Sequence, residues 1–214
     1  MRALVFSGGS LHDPGRVRRV IRPSPADLVL AADSGAAHAL ALGLVPALVV
    51  GDLDSVASEV LAQLEARRIP IQVVPRAKDQ TDTHLAVEEA LRRGATELVL
   101  IAGSGSRLDH TVANLLVLAG LDPAVRAMAV GDAYTAWLVG PDQVLEVAPE
   151  PGWFLSLLPL TPVVTGVHAR NVRWELEGAT LRWGESLGVS NEFREGPASI
   201  RVGEGRLLVV VARD

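Results

Sequence analysis

Half of the chain's twelve aspartates fall between positions 33 and 109: Asp33, Asp52, Asp54, Asp79, Asp82 and Asp109. Each stands just past a short apolar run or where a helix would begin. Asp33 follows LVLAA, Asp52 and Asp54 follow ALVVG, Asp79 and Asp82 follow IQVVPRAK, and Asp109 follows ELVLIAGSGSRL. Ligands of open α/β sheets bind outside the carboxyl ends of the strands, so four strand ends here deliver carboxylates to one edge. Two carboxylates ~4 Å apart repel by about 4 kcal/mol at an effective dielectric of 20. A converging set therefore calls for a cation. The chain has no cysteine and only five scattered histidines. An all-oxygen site selects Mg²⁺, Mn²⁺ or Ca²⁺ over zinc. The plainer role for Asp79, Asp82 or Asp109 is to cap the helix that follows, since Asp is a favoured N-cap.

Spacing sharpens the reading. Asp52-Leu53-Asp54 puts two carboxylates on one side of an extended segment, and Gly51 allows close backbone approach. Asp79 and Asp82 are three apart, hence neighbours on a first helical turn. Lys78 is the only lysine among 20 cationic side chains. A compact ammonium beside an acidic metal cluster fits phosphate oxygens that bridge metal and lysine; a local surface ion pair is the bland alternative. The turn GSGSR (103–107) lacks the third glycine of a dinucleotide fingerprint, and no phosphate-loop motif is present. Backbone amides, a helix start and Arg107 can still hold an anion there. His110, next to Asp109, is a candidate for substrate contact, whereas His38 and His84 read as helix-face residues.

These residues need rigid supports. Arg2–Ser7, Asp27–Ala32, Ala47–Val50, Ile71–Val74 and Glu97–Ala102 are apolar runs with little alternation, as in parallel strands buried on both faces. Helical segments are predicted at Ser34–Leu42, Val56–Arg68, Thr81–Arg93 and Asp109–Leu118, with Gly94 as a C-terminal stop. Alternation of this kind predicts an open, mostly parallel, doubly wound sheet. After about residue 124 the grammar changes to short alternating segments punctuated by Pro and Gly: Gln143–Val147, Trp153–Leu158, Val163–Val167, Thr180–Trp183 and Arg206–Ala212. Seven of the eight aromatics lie beyond residue 130. Inward aromatic faces on spaced strands predict an antiparallel β-sandwich. The boundary is placed near Gly140-Pro141, giving an α/β domain over 1–140 and an all-β domain over 141–214.

Composition narrows the classes. With 214 residues, 49% hydrophobic and 21% charged, the chain is globular and not disordered. A net charge of −5 argues against nucleic acid as a partner. Absent cysteines exclude disulfides, thiolate nucleophiles and iron–sulfur clusters. No apolar run reaches membrane-spanning length, and MRALVFSGGS opens like a strand, so a cytoplasmic protein is expected.

Five blocks then stand out in order: ADSGAAH (32–38), GDLDS (51–55), KDQTD (78–82), SRLDHTVANL (106–115) and SLGVSNEF (186–193). Together they resemble the signature blocks of the thiamine pyrophosphokinase family, and the likeness runs from about residue 2 to 211. The resemblance implies an ATP-binding α/β domain, a C-terminal β-sandwich and a homodimer with active sites between subunits. It implies Mg²⁺-dependent transfer of a pyrophosphoryl group from ATP to thiamine, with release of AMP; Mn²⁺ is the other candidate metal. By position, Asp52, Asp54, Asp79 and Asp82 match the catalytic and metal-holding acids, Asp79 or Asp82 also being a possible acceptor of the hydroxyl proton. Asp33, Gly35, Lys78, Thr81, Arg107 and His110 fall on the nucleotide and phosphate side. Asp109, Ser190, Asn191 and Phe193 fall on the thiamine side, Phe193 against the pyrimidine ring or else in the β-core. The rivals are a pyrophosphokinase for another small alcohol such as a hydroxymethylpterin, a metal-dependent phosphohydrolase, and a non-catalytic thiamine or nucleotide sensor.

Overall fold

The computed structural model describes residues 1–75 and 77–213. They form two compact units, Met1–Asp132 and Ala133–Asp214 as divided by their contacts, ahead of the Gly140-Pro141 turn named above. In the first unit β1 (Arg2–Phe6), α1 (Pro14–Ile21), β2 (Leu28–Ala32), α2 (Gly35–Ala41), β3 (Leu48–Gly51), α3 (Ser58–Ala66), β4 (Ile71–Val73), α4 (Asp82–Arg92), β5 (Glu97–Ile101), α5 (Leu108–Ala119) and β6 (Arg126–Val130) follow in turn. Its strands run in the order β6-β5-β1-β2-β3-β4, every pair parallel. The strand interiors are buried because apolar residues point both ways. Leu4, Phe6, Val29, Ala31, Val49, Val99 and Ile101 pack with Val17, Ile21, Ala36, Ala39 and Leu64 from the helices. As predicted, Gly94 ends α4 in a left-handed conformation, φ 86°, with its N–H on the Leu91 carbonyl at 2.8 Å.

Three elements differ from the sequence reading. Strand β4 is not buried: all three of its residues are exposed, because it is the sheet edge. Helix α1 was not anticipated, since three arginines in eight residues mask its apolar stripe. Asp13 caps it by accepting from the Arg16 N–H at 2.8 Å, and Arg16 is itself buried, donating to the Gly131 carbonyl at 2.7 Å. Residues Arg126–Val130, placed beyond the change of grammar, pair in parallel with β5 and complete the first sheet.

In α4 the buried Glu89 receives both Arg92 and Arg93, at 2.7 and 2.6 Å. The Arg92 hydrogen bond, ahead of the Arg93 bond and against the cost of burial, holds its carboxyl down at about 2 instead of 4.5. A depressed carboxylate adds stability above its unfolded pKa and loses it as pH falls through the folded one. Glu89→Gln is therefore expected to lower the urea midpoint at pH 7 by the equivalent of about 1 kcal/mol. The gap from wild type should close between pH 4.5 and about 2; a gap constant with pH would remove the ion pairs as its cause.

The second unit holds β7 (Tyr134–Val139), β8 (Val144–Val147), β9 (Phe154–Pro159), β10 (Val163–Arg170), β11 (Leu176–Arg182), β12 (Asn191–Glu192), β13 (Ala198–Arg201) and β14 (Leu207–Ala212). Two antiparallel sets, β12-β9-β14-β7 and β11-β10-β13-β8, enclose one core that includes Leu155, Leu157, Val209, Val164, Val167 and Ile200. The expected β-sandwich is thus present. Its aromatics are not uniformly inward. Trp153 is buried, but Phe154, Trp174 and Trp183 are exposed: Phe154 alternates to the opposite strand face from its neighbours, and both tryptophans lie in turns outside the strands. The Arg173 guanidinium covers the Trp174 ring at 4.8 Å. Among the described residues, no helix is long and apolar enough to cross a membrane.

Candidate active site

The chain reverses its direction of travel across the first sheet at β1, which has β2 on one side and β5 on the other. That switch point is where open α/β sheets bind ligands. Here the loops after β1, β2, β3 and β5 and the start of α4 border a cleft of about 580 Å³.

Asp33, Asp52 and Asp54 each bring a carboxylate oxygen to within 4.8 Å of the others. Asp33 takes a left-handed backbone, φ 49°, pinned by its N–H on the Val50 carbonyl at 2.9 Å. Gly51 makes room for it, since a Cβ there would lie 3.1 Å from Asp33 Cβ and Oδ1. Asp33 Oδ2 accepts from the Ser55 hydroxyl, and its Oδ1 is buried with no hydrogen-bond partner among the described residues. Burial pushes the Asp33 carboxyl up; the Ser55 bond opposes this, and Asp82, Asp52 and Asp54 add to it. A buried carboxylate oxygen without a donor beside two more carboxylates is the donor set of a hard divalent cation. Residues 52–54 are not extended as predicted. Leu53 is left-handed, φ 63°, and the Asp54 N–H donates to Asp52 Oδ1 at 3.1 Å, so a turn and not a strand gathers the two acids.

Asp82 opens α4 and lies 2.9 Å from Lys78 Nζ, which also donates to the Pro75 carbonyl at 3.2 Å. Both residues line the cleft. Thr81 is the helix cap, its hydroxyl accepting from the His84 N–H at 3.2 Å. Asp79 therefore precedes the helix instead of sharing its first turn; it is exposed and is not part of the cleft wall. Asp109 does not cap α5 either, since Arg107 holds that position. Arg107 instead grips Asp109 through Nε at 3.2 Å and Nη2 at 2.5 Å, and this bond draws the Asp109 carboxyl down to about 2. Arg107 and His110 line the cleft as exposed side chains.

Two glycine turns form its remaining wall. The Gly9 N–H donates to the Ala102 carbonyl at 2.9 Å and the Ser10 N–H to the Ser104 carbonyl at 2.8 Å, which zips the turn after β1 to the turn after β5. Gly35 lets α2 start against β1, where a Cβ would come within 2.2 Å of the Phe6 carbonyl oxygen. Sequence reasoning missed Ser7, Gly8, Gly9, Ser55, Thr83 and Asn114, all in the cleft wall. The signal was there for the first three: SGG directly follows the strand RALVF, in the same grammar as GSGS after ELVLIA.

Comparison with known proteins decides the family. A model described as "Thiamin pyrophosphokinase, catalytic domain" matches residues 23–128, and one described as "Thiamin pyrophosphokinase, vitamin B1 binding domain" matches residues 143–207. This chain belongs to the thiamin pyrophosphokinase family. It is 22% identical over 188 residues to the thiamine pyrophosphokinase of Bacillus subtilis, across 87% of this chain and 88% of the relative. The crystal structure of a Bacillus subtilis thiamine pyrophosphokinase superposes with a TM-score of 0.86 at 19% identity, both chains covered in full. A thiamin pyrophosphokinase family protein from Enterococcus faecalis gives 0.77 at 27% identity, again over the whole of both chains.

The thiamin pyrophosphokinase vitamin B1 model spans the segment holding Ser190, Asn191 and Phe193. Ser190 is exposed and left-handed, φ 59°, with its N–H on Ser156 Oγ at 3.0 Å. Asn191 is buried, and its amide bonds the Trp174 backbone twice: Nδ2 to the carbonyl at 2.8 Å and Oδ1 from the N–H at 3.0 Å. Its side chain thus holds the loop that carries Trp174. Phe193 is half-buried against the sandwich core.

Proposed function

We propose that this member of the family transfers the pyrophosphoryl group of ATP to the hydroxyethyl oxygen of thiamine, giving thiamine diphosphate and AMP. The reading also takes the protein to be a cytoplasmic homodimer with active sites between subunits, residues 1–140 carrying nucleotide and metal and residues 141–214 carrying thiamine. The observation that supports it most is the Asp33–Asp52–Asp54 group, with its buried Asp33 oxygen, in one cleft with two glycine turns, Lys78 and Arg107. Mg²⁺ or Mn²⁺ fits those oxygens, and when bound it would neutralise charge on the triphosphate.

The chain's own part is mostly positioning and electrostatics, which carry most of the catalysis in such transfers. Lys78 and Arg107 bind phosphate oxygens as a point charge and a planar fork. In the chemical step the thiamine hydroxyl oxygen bonds to the β-phosphorus, and the bond from that phosphorus to the bridging oxygen breaks. AMP leaves with that oxygen. Asp82, in the cleft wall where Asp79 is not, takes the hydroxyl proton. Ser190, Asn191, Phe193 and Asp109 belong to the thiamine side.

Purified protein mixed with ATP, Mg²⁺ and thiamine is expected to yield AMP and thiamine diphosphate in equal amounts, dependent on both thiamine and metal. Chromatography of the products checks this. ADP with thiamine monophosphate would refute the pyrophosphoryl step, and ATP loss without thiamine would point to a hydrolase.

A further inference from the structure

We propose that His38 is a positioning residue for the nucleotide phosphates, acting through the backbone of the Gly8–Gly9 turn; this rests on reading the cleft as a triphosphate site. His38 lies on α2 with Nε2 2.8 Å from the Gly9 carbonyl oxygen. A carbonyl only accepts, so Nε2 carries the proton, as it does in one neutral tautomer and in the imidazolium alike.

The Gly9 carbonyl and the Ser10 N–H belong to a single planar trans peptide and point in opposite directions. His38 holds the first and the Ser104 carbonyl, at 2.8 Å, holds the second. One peptide is thus fixed at both ends, between α2 and the turn after β5. Gly9, with no side chain, cannot resist rotation of that peptide by itself. The absence of a side chain is required there, because a Cβ would strike the Ser104 and Ala102 carbonyl oxygens at 2.2 and 2.3 Å. Without the imidazole donor the peptide can turn over, and turning over removes the Ser10–Ser104 bond that zips the two cleft turns. The second turn has a matching hold: buried Asn114 on α5 donates Nδ2 to the Gly103 carbonyl at 2.7 Å. Helices α2 and α5 therefore each reach one side chain to a cleft glycine carbonyl. Gly8, exposed in the cleft wall, is carried on the turn that this peptide anchors, so its place in the wall depends on the arrangement.

The test compares full-length wild type, His38→Phe and His38→Gln. The first keeps a ring without a donor; the second keeps an N–H donor near the Nε2 position. Calorimetry with magnesium and an ATP analogue bearing a methylene bridge between the α- and β-phosphorus reads nucleotide affinity, and steady-state kinetics read the thiamine KM. His38→Phe is expected to bind the analogue roughly tenfold more weakly, the scale of one lost hydrogen bond at a part-buried carbonyl. His38→Gln should stay within about threefold of wild type, and the thiamine KM should not move in either variant. Should His38→Phe fail to fold, His38→Ala carries the same expectation. Wild-type affinity in the donor-free variant, an equal loss in His38→Gln, or an equal rise in the thiamine KM overturns the inference alone. A wild type that binds no analogue overturns the triphosphate reading and this inference together.

Discussion

Asp54→Asn is expected to cut kcat by about 10³-fold or more, the loss seen when a preorganised charge at a reacting phosphate is removed. The same variant should keep its fold, melting within a few degrees of wild type in metal-free buffer. Both follow from one geometry. Asp33, Asp52 and Asp54 crowd their carboxylates into a 4.8 Å group, and the crowding already helps push the Asp33 carboxyl up. Asparagine keeps the shape of the side chain, and the backbone bond from Asp54 N–H to Asp52 Oδ1 survives the change. The change removes one anionic ligand and its repulsion of the other two. Activity falls while the turn is kept, a combination that separates a cation site from a structural turn. AMP release at saturating substrate, with a thermal melt in chelator, decides it. Turnover like that of wild type would end the metal-site reading.

Gly35→Ala is expected to destabilise the protein by about 3 kcal/mol or more, read from its urea midpoint. Helix propensity alone predicts the opposite sign, since alanine is better than glycine inside a helix by about 1 kcal/mol. Sterics overrule it. The added methyl would lie 2.2 Å from the Phe6 carbonyl oxygen, 2.6 Å from its carbon and 3.0 Å from the Ser7 carbonyl carbon. All three are backbone atoms at the end of β1, which is hydrogen-bonded to strands on both sides and has nowhere to move. Helix α2 must lift instead, taking His38 with it. Unchanged stability would mean that α2 can shift freely, and would undercut His38 as a fixed anchor.

Much of this was readable in the residues. The apolar runs of β1, β2, β3 and β5 announce a parallel sheet because burial on both faces leaves no alternation, and Asp33, Asp52, Asp54 and Asp82 stand at strand or helix ends, where a crevice must lie. What could not be read is backbone conformation. Left-handed φ values at Asp33 and Leu53 bring Asp33 together with Asp52 and Asp54; Asp takes such a conformation only occasionally and Leu rarely, so neither position announces it. Edge position was equally hidden: Ile71–Val73 has the composition of a core strand and lies exposed because nothing among the described residues pairs beyond it. Asn191 shows a third limit. Its amide bonds the backbone at Trp174, a long-range bond that no local spacing encodes.

Strand β1 has one more consequence. Its partner β5 lies on the far side of three other strands and four helices in the chain. At translation rates of about 5–20 residues per second, β1 waits on the order of ten seconds for that partner after leaving the ribosome. During that interval Ala3–Phe6, fully buried in the finished protein, have β2 along one edge and an open edge along the other. The cleft, whose two glycine turns are zipped to each other, cannot exist before β5 arrives. Ligand in the cleft can therefore stabilise the finished fold but cannot guide its early assembly, and until β5 arrives the edge of one short strand stays open to mispairing.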